Sequence, residues 1–170
     1  DAAANADAVR AAGGRVAHGV DARDLRRTLG VAGGGKKGKG DVPEASRFDR
    51  IAFNFPHVGM GIADQAANVR ANQLLLAGFF RSALGLLAAG GEVLVTVKTG
   101  PPYDLWQPVA MCKAATKGEL APRTAVPFDP AAFPGYAHRR TEGFEQGLSK
   151  AASEEVAGRA RTYVWRRAEP

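Results

Sequence analysis

The chain has 170 residues, of which 45% are hydrophobic and 24% are charged, and its mean hydropathy is −0.19. This size and composition predict one globular domain over residues 1–170, and they exclude a disordered chain or two ordinary domains. The formal charge of +6 permits polyanion binding but does not require it, since a solvated basic surface has the same composition.

Several classes of protein are disfavoured by particular residues. No stretch reaches the roughly 20 apolar residues that cross a bilayer, because Arg81 and Ser82 interrupt the most apolar segment, residues 74–89. The chain begins at Asp1 without a basic and then an apolar segment, so no signal peptide is predicted. The single cysteine, Cys112, excludes an internal disulfide and a cysteine-based zinc site. We therefore expect an intracellular protein.

The first quarter of the chain predicts short elements and a loop. Residues 2–12 are good helix formers and predict a helix. The sequence RVAHGV, residues 15–20, is typical of a short buried strand that delivers Asp21 at its carboxyl end. Residues 24–29 predict about one helical turn. Residues 30–43 are rich in glycine and lysine without hydrophobic periodicity, which predicts a flexible surface loop.

Strands and helices alternate in the remainder of the chain. Apolar residues at spacings of three and four predict a long helix, and the β-branched run EVLVTV predicts a central strand. This alternation predicts an α/β fold with a doubly wound, mainly parallel sheet. The predicted elements are a strand at 48–53, a helix at 68–89, a strand at 92–97, a helix at 103–117 and strand-like segments at 120–128 and 161–166.

Polar residues stand at the carboxyl ends of three predicted strands. Asp21 follows the first strand, Asn54 to His57 end the second, and Lys98 to Gly100 follow the central strand. In doubly wound sheets ligands bind beyond the carboxyl ends of the strands. We therefore expect these three groups to converge on one crevice.

The run Asn54-Phe55-Pro56-His57 permits two interpretations. An amide oxygen and a carbonyl freed by a proline turn accept hydrogen bonds from a ring N–H, and an aromatic side chain stacks on a base. Methyltransferases that act on a nitrogen of planar substrates use similar strand-end groups, usually in the order Asn/Asp-Pro-Pro-aromatic. The alternative is an ordinary strand end with Phe55 in the core. His57 is either a general base, since histidine titrates near neutral pH, or a structural hydrogen-bonding group.

Three other groups have both a functional and an ordinary interpretation. Asp21 either accepts hydrogen bonds from a nucleoside or caps the helical turn that follows it. Lys98 either meets a phosphate or extends into solvent. Residues 133–141 combine aromatic residues, a turn and paired arginines, which suits single-stranded nucleic acid, or they form a connector that ends in solvated charges.

The glycine-lysine run does not have the features of a phosphate-binding loop. Residues 33–39 match the spacing G-x-x-x-x-G-K, but Gly40 stands where that loop needs a Ser or Thr hydroxyl for magnesium. No apolar strand precedes the run either. We expect a flexible loop that contacts RNA at most.

Four stretches of the chain together resemble one known family. FDRIAFNFPHVG at 48–59, the long segment ANQLLL to PPYDLW at 71–106, FPGYAHRRTEGF at 133–144 and HGVDA at 18–22 are similar to the 25S ribosomal RNA uridine-N(3) methyltransferases. The resemblance covers most of the chain in order. It implies a Rossmann-like domain that uses S-adenosylmethionine and modifies RNA, in the nucleus, the nucleolus or the cytoplasm.

The resemblance also implies roles for particular positions, without a metal. Asp21 and Ala22 are expected near the adenosine half of the cofactor, and Asn54 to His57 are expected to form the catalytic corner, with Asn54 and Phe55 also contacting the cofactor. Asn72 is expected to face that corner from a helix start. The residues expected to line the RNA side are Gln73, Lys98, Tyr103, His138, Arg139 and Arg140.

One feature of the family has no counterpart in this sequence. The family opens with a strand, a glycine-rich turn around the methionine part of the cofactor and an acidic ribose-binding residue, and this chain begins after them. We expect either part of a longer polypeptide, which the abrupt start favours, or a relative that holds the cofactor weakly. The alternative function is a non-catalytic module that binds RNA or protein. A nicotinamide-dependent enzyme is disfavoured, because no G-x-G-x-x-G follows a strand.

Overall fold

The computed structural model describes residues 2–33, 40–138 and 156–167. Its helices are α1 (Ala2–Ala11), α2 (Leu25–Thr28), α3 (Gln65–Leu84) and α4 (Pro108–Thr116). Its strands are β1 (Phe48–Asn54), β2 (Leu87–Lys98), β3 (Leu120–Pro127) and β4 (Ala160–Arg167). Short 3-10 turns occur at Ala22–Asp24, Glu44–Ser46, Tyr103–Trp106 and Pro130–Ala132. Residues 34–39 of the predicted glycine-lysine loop lie outside the described residues.

The described strands form one four-stranded sheet in the order β1-β2-β4-β3. β1 and β2 are parallel, and β4 is antiparallel to both of its neighbours, so β1, β2 and β3 run in the same direction. The Rossmann-like α/β class and the mainly parallel strand direction are therefore confirmed. The insertion of β4 in reverse between β2 and β3 was not part of the prediction, because it depends on pairing between distant segments.

The larger of two hydrophobic clusters in the described residues joins the helices to the sheet. α3 and α4 pack against each other, and α3 contributes Phe79 and Phe80 to the core. The ring of Phe80 lies 4.7 Å from Trp165 of β4, edge to face, and Phe79 lies 4.9 Å from Phe53 of β1. Leu76 of α3 is fully buried as well. This packing holds the second half of α3 against β1 and β4.

Several predicted elements differ from the structure: the strand predicted at 92–97 spans Leu87–Lys98, and the helix predicted at 103–117 is a 3-10 turn followed by α4. The strand predicted at residues 15–20 is wrong: this segment is irregular and contains Gly19 at a φ of 68°. A strand needs a partner for its backbone groups, and no described strand pairs with this segment. The helix predicted to end at residue 89 ends at Leu84, because Leu87 already pairs with Phe48 of β1. Sheet pairing overrides the continuing apolar pattern there.

Helices in the described ranges are too short or too polar to span a membrane. The closest in length is α3, which carries Arg70 and Arg81 and two asparagines.

Candidate functional site

The carboxyl end of β1 turns sharply at Phe55. Asn54 is the last residue of the strand, and Phe55 adopts a φ of 52°, a left-handed conformation that is uncommon for an aromatic residue. The Phe55 N–H donates to the carbonyl of Thr96 on β2, at 2.8 Å, and Pro56 is buried behind the turn. Uncommon backbone conformations of this kind occur often at functional sites. The turn leaves the Asn54 side chain exposed at the edge of the sheet.

A hydrogen-bonded row of side chains crosses the sheet at Asn54. The Thr96 hydroxyl donates to Asn54 Oδ1 at 2.9 Å, and Thr96 Oγ1 lies 2.9 Å from Thr162 Oγ1. These residues are direct register partners on β1, β2 and β4. Thr96 is 1% exposed. The Asn54 amide is therefore held by a buried hydroxyl on its inner side.

The loop after the turn is fixed to the start of α3. The buried Asn72 accepts a hydrogen bond from Val58 N–H at 3.0 Å and donates to the carbonyl and side-chain oxygens of Asn68. Asn68 in turn donates to Ile62 O at 3.3 Å, and Asp64 caps α3 through Ala67 N–H. As the resemblance implied, Asn72 lies at the corner. Its contacts hold the loop rather than reaching outward.

His57 is exposed and has a defined ring orientation. Its Nδ1 accepts a hydrogen bond from Gly59 N–H at 2.9 Å, so a neutral ring in this arrangement carries its proton on Nε2. The ring lies 5.9 Å from Trp106, which is buried and whose Nε1–H has no hydrogen-bond partner within the described part of the chain. Direct proton abstraction through Nδ1 would require release of Gly59.

A cluster of aromatic residues, the aromatic rim, covers the other side of the turn. The Phe55 ring lies 4.7 Å from His138 and 5.4 Å from Phe128, both in edge-to-face geometry. Phe133 stacks on Phe128 at 5.6 Å and is 54% exposed, while the Tyr136 hydroxyl lies 3.0 Å from His138 Nδ1. Burial raises the pKa of Tyr136. The segment after β3 therefore returns to the end of β1 and brings His138 to the predicted corner.

Three further predicted residues are grouped around the turn Tyr103–Trp106, namely Gln73, Lys98 and Tyr103. Gln73 Nε2 donates to Leu105 O at 2.8 Å, which ties α3 to the turn that holds Trp106. Lys98 Nζ lies 6.0 Å from the centre of the Tyr103 ring, a cation–π arrangement. Lys98 and Tyr103 line an open cavity of ≈ 490 Å³. The structure thus brings these predicted residues to the same end of the sheet as Asn54.

Asp21 and Ala22 lie in a turn that packs beside the second half of α3. Asp21 caps the turn Ala22–Asp24, and its carboxylate pairs with Arg23 at 2.9 Å, which lowers the pKa of Asp21 to about 2. Arg23 packs beside Gly78, six residues or about 9 Å along the helix axis from Asn72. The capping interpretation of Asp21 is thus observed. A role in cofactor binding stays a prediction.

Arg139 and Arg140 lie outside the described residues. Within residues 2–33, 40–138 and 156–167, no three His, Cys, Asp or Glu side chains are grouped as metal ligands would be.

Sequence analysis did not predict three residues of the candidate site: Thr96, Thr162 and Trp106. The signal for Thr96 was a hydroxyl in the buried run EVLVTV, because a buried hydroxyl needs a hydrogen-bond partner. Its partners became evident only with the strand register. For Trp106 the signal was the aromatic pair in YDLW.

Comparison with known proteins gives one family match over most of the chain. The model of the BMT5-like family, described as rRNA (uridine-N3-)-methyltransferase, matches residues 1–140. A relative from Saccharomyces cerevisiae, the 25S rRNA (uridine(2634)-N(3))-methyltransferase, is 32% identical over 142 residues, covering 65% of this chain and 41% of the relative. The ferredoxin-fold anticodon-binding domain-containing protein 1 homolog of Mus musculus is 37% identical over 144 residues, with coverages of 78% and 20%.

A solved structure is also similar to the chain. It is described as a DNA modification methylase from Thermus thermophilus, with a TM-score of 0.44, 15% identity and coverage of 89% of this chain and 51% of that chain. The chain spans less than half the length of the curated relatives that it matches.

Proposed function

We infer the function from one premise: the chain belongs to the BMT5-like family, whose model matches residues 1–140. The description of that family is rRNA (uridine-N3-)-methyltransferase. We propose that this chain acts in the transfer of a methyl group from S-adenosylmethionine to ring nitrogen 3 of a uridine in ribosomal RNA. The expected partner is therefore RNA, and the expected location is the nucleus, the nucleolus or the cytoplasm.

A single observation supports this activity most strongly. Asn54 is exposed at the carboxyl end of β1 and is held by Thr96; Phe55 of the aromatic rim follows it directly, and Lys98 ends the neighbouring strand β2. An amide beside aromatic rings suits a flat ring with polar edges, such as a pyrimidine. A nearby lysine suits the phosphate of the same nucleotide.

The chemistry requires little beyond alignment and charge stabilisation. Nitrogen 3 of uracil carries a weakly acidic proton between two carbonyl groups, and the proton must leave before or as the methyl group arrives. Hydrogen-bond donors aimed at those carbonyl oxygens stabilise the resulting anion. Asn54 is the residue best positioned to supply such a donor. Rigid placement of the uracil ring next to the methyl donor then supplies the remaining rate acceleration.

S-adenosylmethionine would supply an electrophilic methyl group at its sulfonium centre. The residues present fit the cofactor in part. Asn54 and Phe55 stand at the sheet edge with an exposed amide, which suits a nucleoside or a reacting methyl group. Asp21 is already paired with Arg23, so the adenosine contact proposed for it would have to share that carboxylate.

His57 is proposed to help the proton of nitrogen 3 leave. It follows directly after Pro56, and Gly59 N–H fixes its orientation. Its ring packs near Trp106 on one side and is exposed on the other. Because Nδ1 is occupied, we propose that the proton passes to solvent water while the Nε2–H of His57 stabilises the negative charge that develops on the uracil ring.

We propose that six residues line the RNA side of the site: Gln73, Lys98, Tyr103, His138, Arg139 and Arg140. Lys98 and Tyr103 share the open cavity beside α4, and His138 belongs to the aromatic rim. Positive charges position a phosphate backbone without reading sequence, while aromatic rings hold unstacked bases. Of these residues, Gln73 also holds the turn that carries Leu105.

A second function, a non-catalytic RNA-binding module, is favoured by the pairing of Asp21 with Arg23. Calorimetric titration of the chain with S-adenosylmethionine separates the two functions. Saturable heat is expected for the methyltransferase, and no heat at millimolar cofactor is expected for the module.

Methyl transfer itself is tested by incubating ribosomal RNA with the chain and isotope-labelled cofactor, followed by nucleoside mass spectrometry. We expect 3-methyluridine, and at least a hundredfold less of it with Asn54→Ala, about the loss of one preorganised donor. Asn5→Ala, an exposed asparagine in α1, is the matched control and should behave as the wild type. Label in another nucleoside, or equal activity of Asn54→Ala, would contradict the proposal.

A further inference from the structure

We propose that Thr96 is a positioning residue that fixes the Asn54 amide with its N–H groups toward the ligand, and that this orientation selects uracil over cytosine. The inference rests on the proposed function, since it assumes that a pyrimidine occupies the corner. It adds a determinant of base specificity that lies one strand away from the residue that would touch the base.

The positioning contacts form an ordered chain of donors. Thr96 has one hydroxyl hydrogen, and it donates that hydrogen to Asn54 Oδ1 at 2.9 Å. The contact of 2.9 Å between the two threonine oxygens must therefore use the hydrogen of Thr162. The chain of hydrogen bonds runs from Thr162 through Thr96 to the amide oxygen. Thr162 therefore donates its hydroxyl hydrogen to Thr96, and Thr96 donates its own to Asn54.

This direction decides which end of the Asn54 amide faces outward. With Oδ1 turned to Thr96, the Nδ2 group lies on the other side of the planar amide. Asn54 is the last residue of β1 and is exposed, while Thr96 is 1% exposed, so the oxygen points into the sheet and the NH₂ group out of it. A ligand in the corner therefore meets a hydrogen-bond donor first.

The packing indicates that the Thr96 hydroxyl has a specific purpose. Thr96 is 1% exposed, and a valine would fill its position with the same shape. Burying a hydroxyl costs free energy unless it is hydrogen-bonded. The fold places that hydroxyl in the one row that reaches Asn54.

A donor at this point distinguishes the two pyrimidines. Uracil has a carbonyl oxygen at carbon 4, next to nitrogen 3, whereas cytosine has an amino group there. An outward amide N–H pairs with the carbonyl of uracil but opposes the amino group of cytosine, which leaves a donor without an acceptor. If the amide were free to rotate, its oxygen could accept from the amino group of cytosine. The preference would then weaken.

The test uses binding of short oligouridylate and oligocytidylate to the whole chain, measured by nuclear magnetic resonance on the Asn54 side-chain amide signals. For the wild type we expect about tenfold tighter binding of oligouridylate, roughly the contribution of one hydrogen bond. Thr96→Ser keeps the hydroxyl and should keep the ratio. Thr96→Val should bring the ratio close to one. An unchanged ratio in Thr96→Val would overturn the proposal.

A second variant keeps the test decisive if Thr96→Val does not fold. Thr162→Val lies at a partly exposed position and removes the outer hydroxyl, so Thr96 can turn its hydrogen only toward Asn54. We expect this variant to keep the uridine preference, while the double variant Thr96→Ser with Thr162→Val should keep it as well. Loss of the preference in Thr162→Val would show that the chain does not run in this direction and would overturn the proposal.

Methyl transfer, measured separately, distinguishes failure of this inference from failure of the proposed function. A wild-type chain that prefers oligouridylate but makes no 3-methyluridine would refute the methyltransferase and leave the positioning role supported. A chain that makes 3-methyluridine, with an unchanged binding ratio in Thr96→Val, would refute only the positioning role.

Discussion

The rings of Phe55 and His138 lie 4.7 Å apart in edge-to-face geometry, although they come from distant parts of the chain. Phe55 follows the first strand of the sheet in sequence, and His138 lies in the segment that follows β3. The contact closes the aromatic rim beside Asn54. The candidate site is therefore assembled by the tertiary fold and does not reside in one local motif.

Substitution of His138 tests this contact. His138 is 8% exposed, so His138→Ala leaves a gap against Phe55 and also removes the partner of the Tyr136 hydroxyl. We expect a loss of about 1–3 kcal/mol in the free energy of unfolding, measured with urea. His18→Ala, at an exposed loop position, is the control and should change it by less than about 0.5 kcal/mol. Equal stability of both variants would contradict the packing role.

Asn72 is predicted to hold the loop after the turn. Asn72→Ala leaves Val58 N–H without its acceptor, and an unsatisfied buried group costs about 1–3 kcal/mol. We expect that loss in urea unfolding, together with faster hydrogen exchange at Val58. Asn5→Ala on α1 is the control. Unchanged exchange at Val58 would show that the loop is held by other contacts.

His57 is predicted to affect chemistry more than binding. His57→Ala should lower the rate of methyl transfer by about 10²-fold or more, the usual range for a group that assists proton transfer, while RNA affinity changes by less than about threefold. His57→Asn keeps a side-chain donor and should recover part of the rate. The measurement combines single-turnover methyl transfer with RNA binding. Equal losses in rate and affinity would reject a chemical role.

Cys112 is predicted to be unreactive while the chain is folded. Burial raises the pKa of the Cys112 thiol from 9.0 to about 12, so almost no thiolate forms in the folded state near pH 8.5. Labelling by iodoacetamide should therefore follow unfolding and accelerate sharply in urea. Rapid labelling of the native chain would contradict the burial of this residue.

The same pKa shift has a defined effect on stability. The folded state holds the thiol proton more tightly than the unfolded state, so the unfolded state binds fewer protons between pH 9 and pH 12. This contribution to stability is fully present below pH 9 and is lost as pH rises toward 12. Cys112→Ala should remove that part of the alkaline decline.

The sequence was sufficient for features that depend on local pattern. Apolar alternation located β1 within one residue, and polar residues at its end led directly to Asn54. The periodicity of α3 predicted a long helix there, and the resemblance, rather than the periodicity, pointed to Asn72, which contacts the loop after β1. These features follow from the rule that parallel strands deliver ligand-binding groups at their carboxyl ends.

Features that depend on pairing between distant segments could not be predicted. Thr96 belongs to the site only because the β1–β2 and β2–β4 registers align it with Asn54 and Thr162. The end of α3 at Leu84 similarly depends on the pairing of Leu87 with Phe48. A single sequence contains no direct record of such registers.

The central claim is that a pyrimidine binds at the carboxyl end of β1 and β2, and chemical-shift mapping with oligouridylate tests it most directly. We predict saturable shifts at Asn54, Phe55 and His57. An open cavity of ≈ 720 Å³ at the opposite end of the sheet, lined by three arginines together with Asp49 and Glu92, offers an alternative site. Shifts confined to that cavity, with Asn54 unchanged, would contradict the claim.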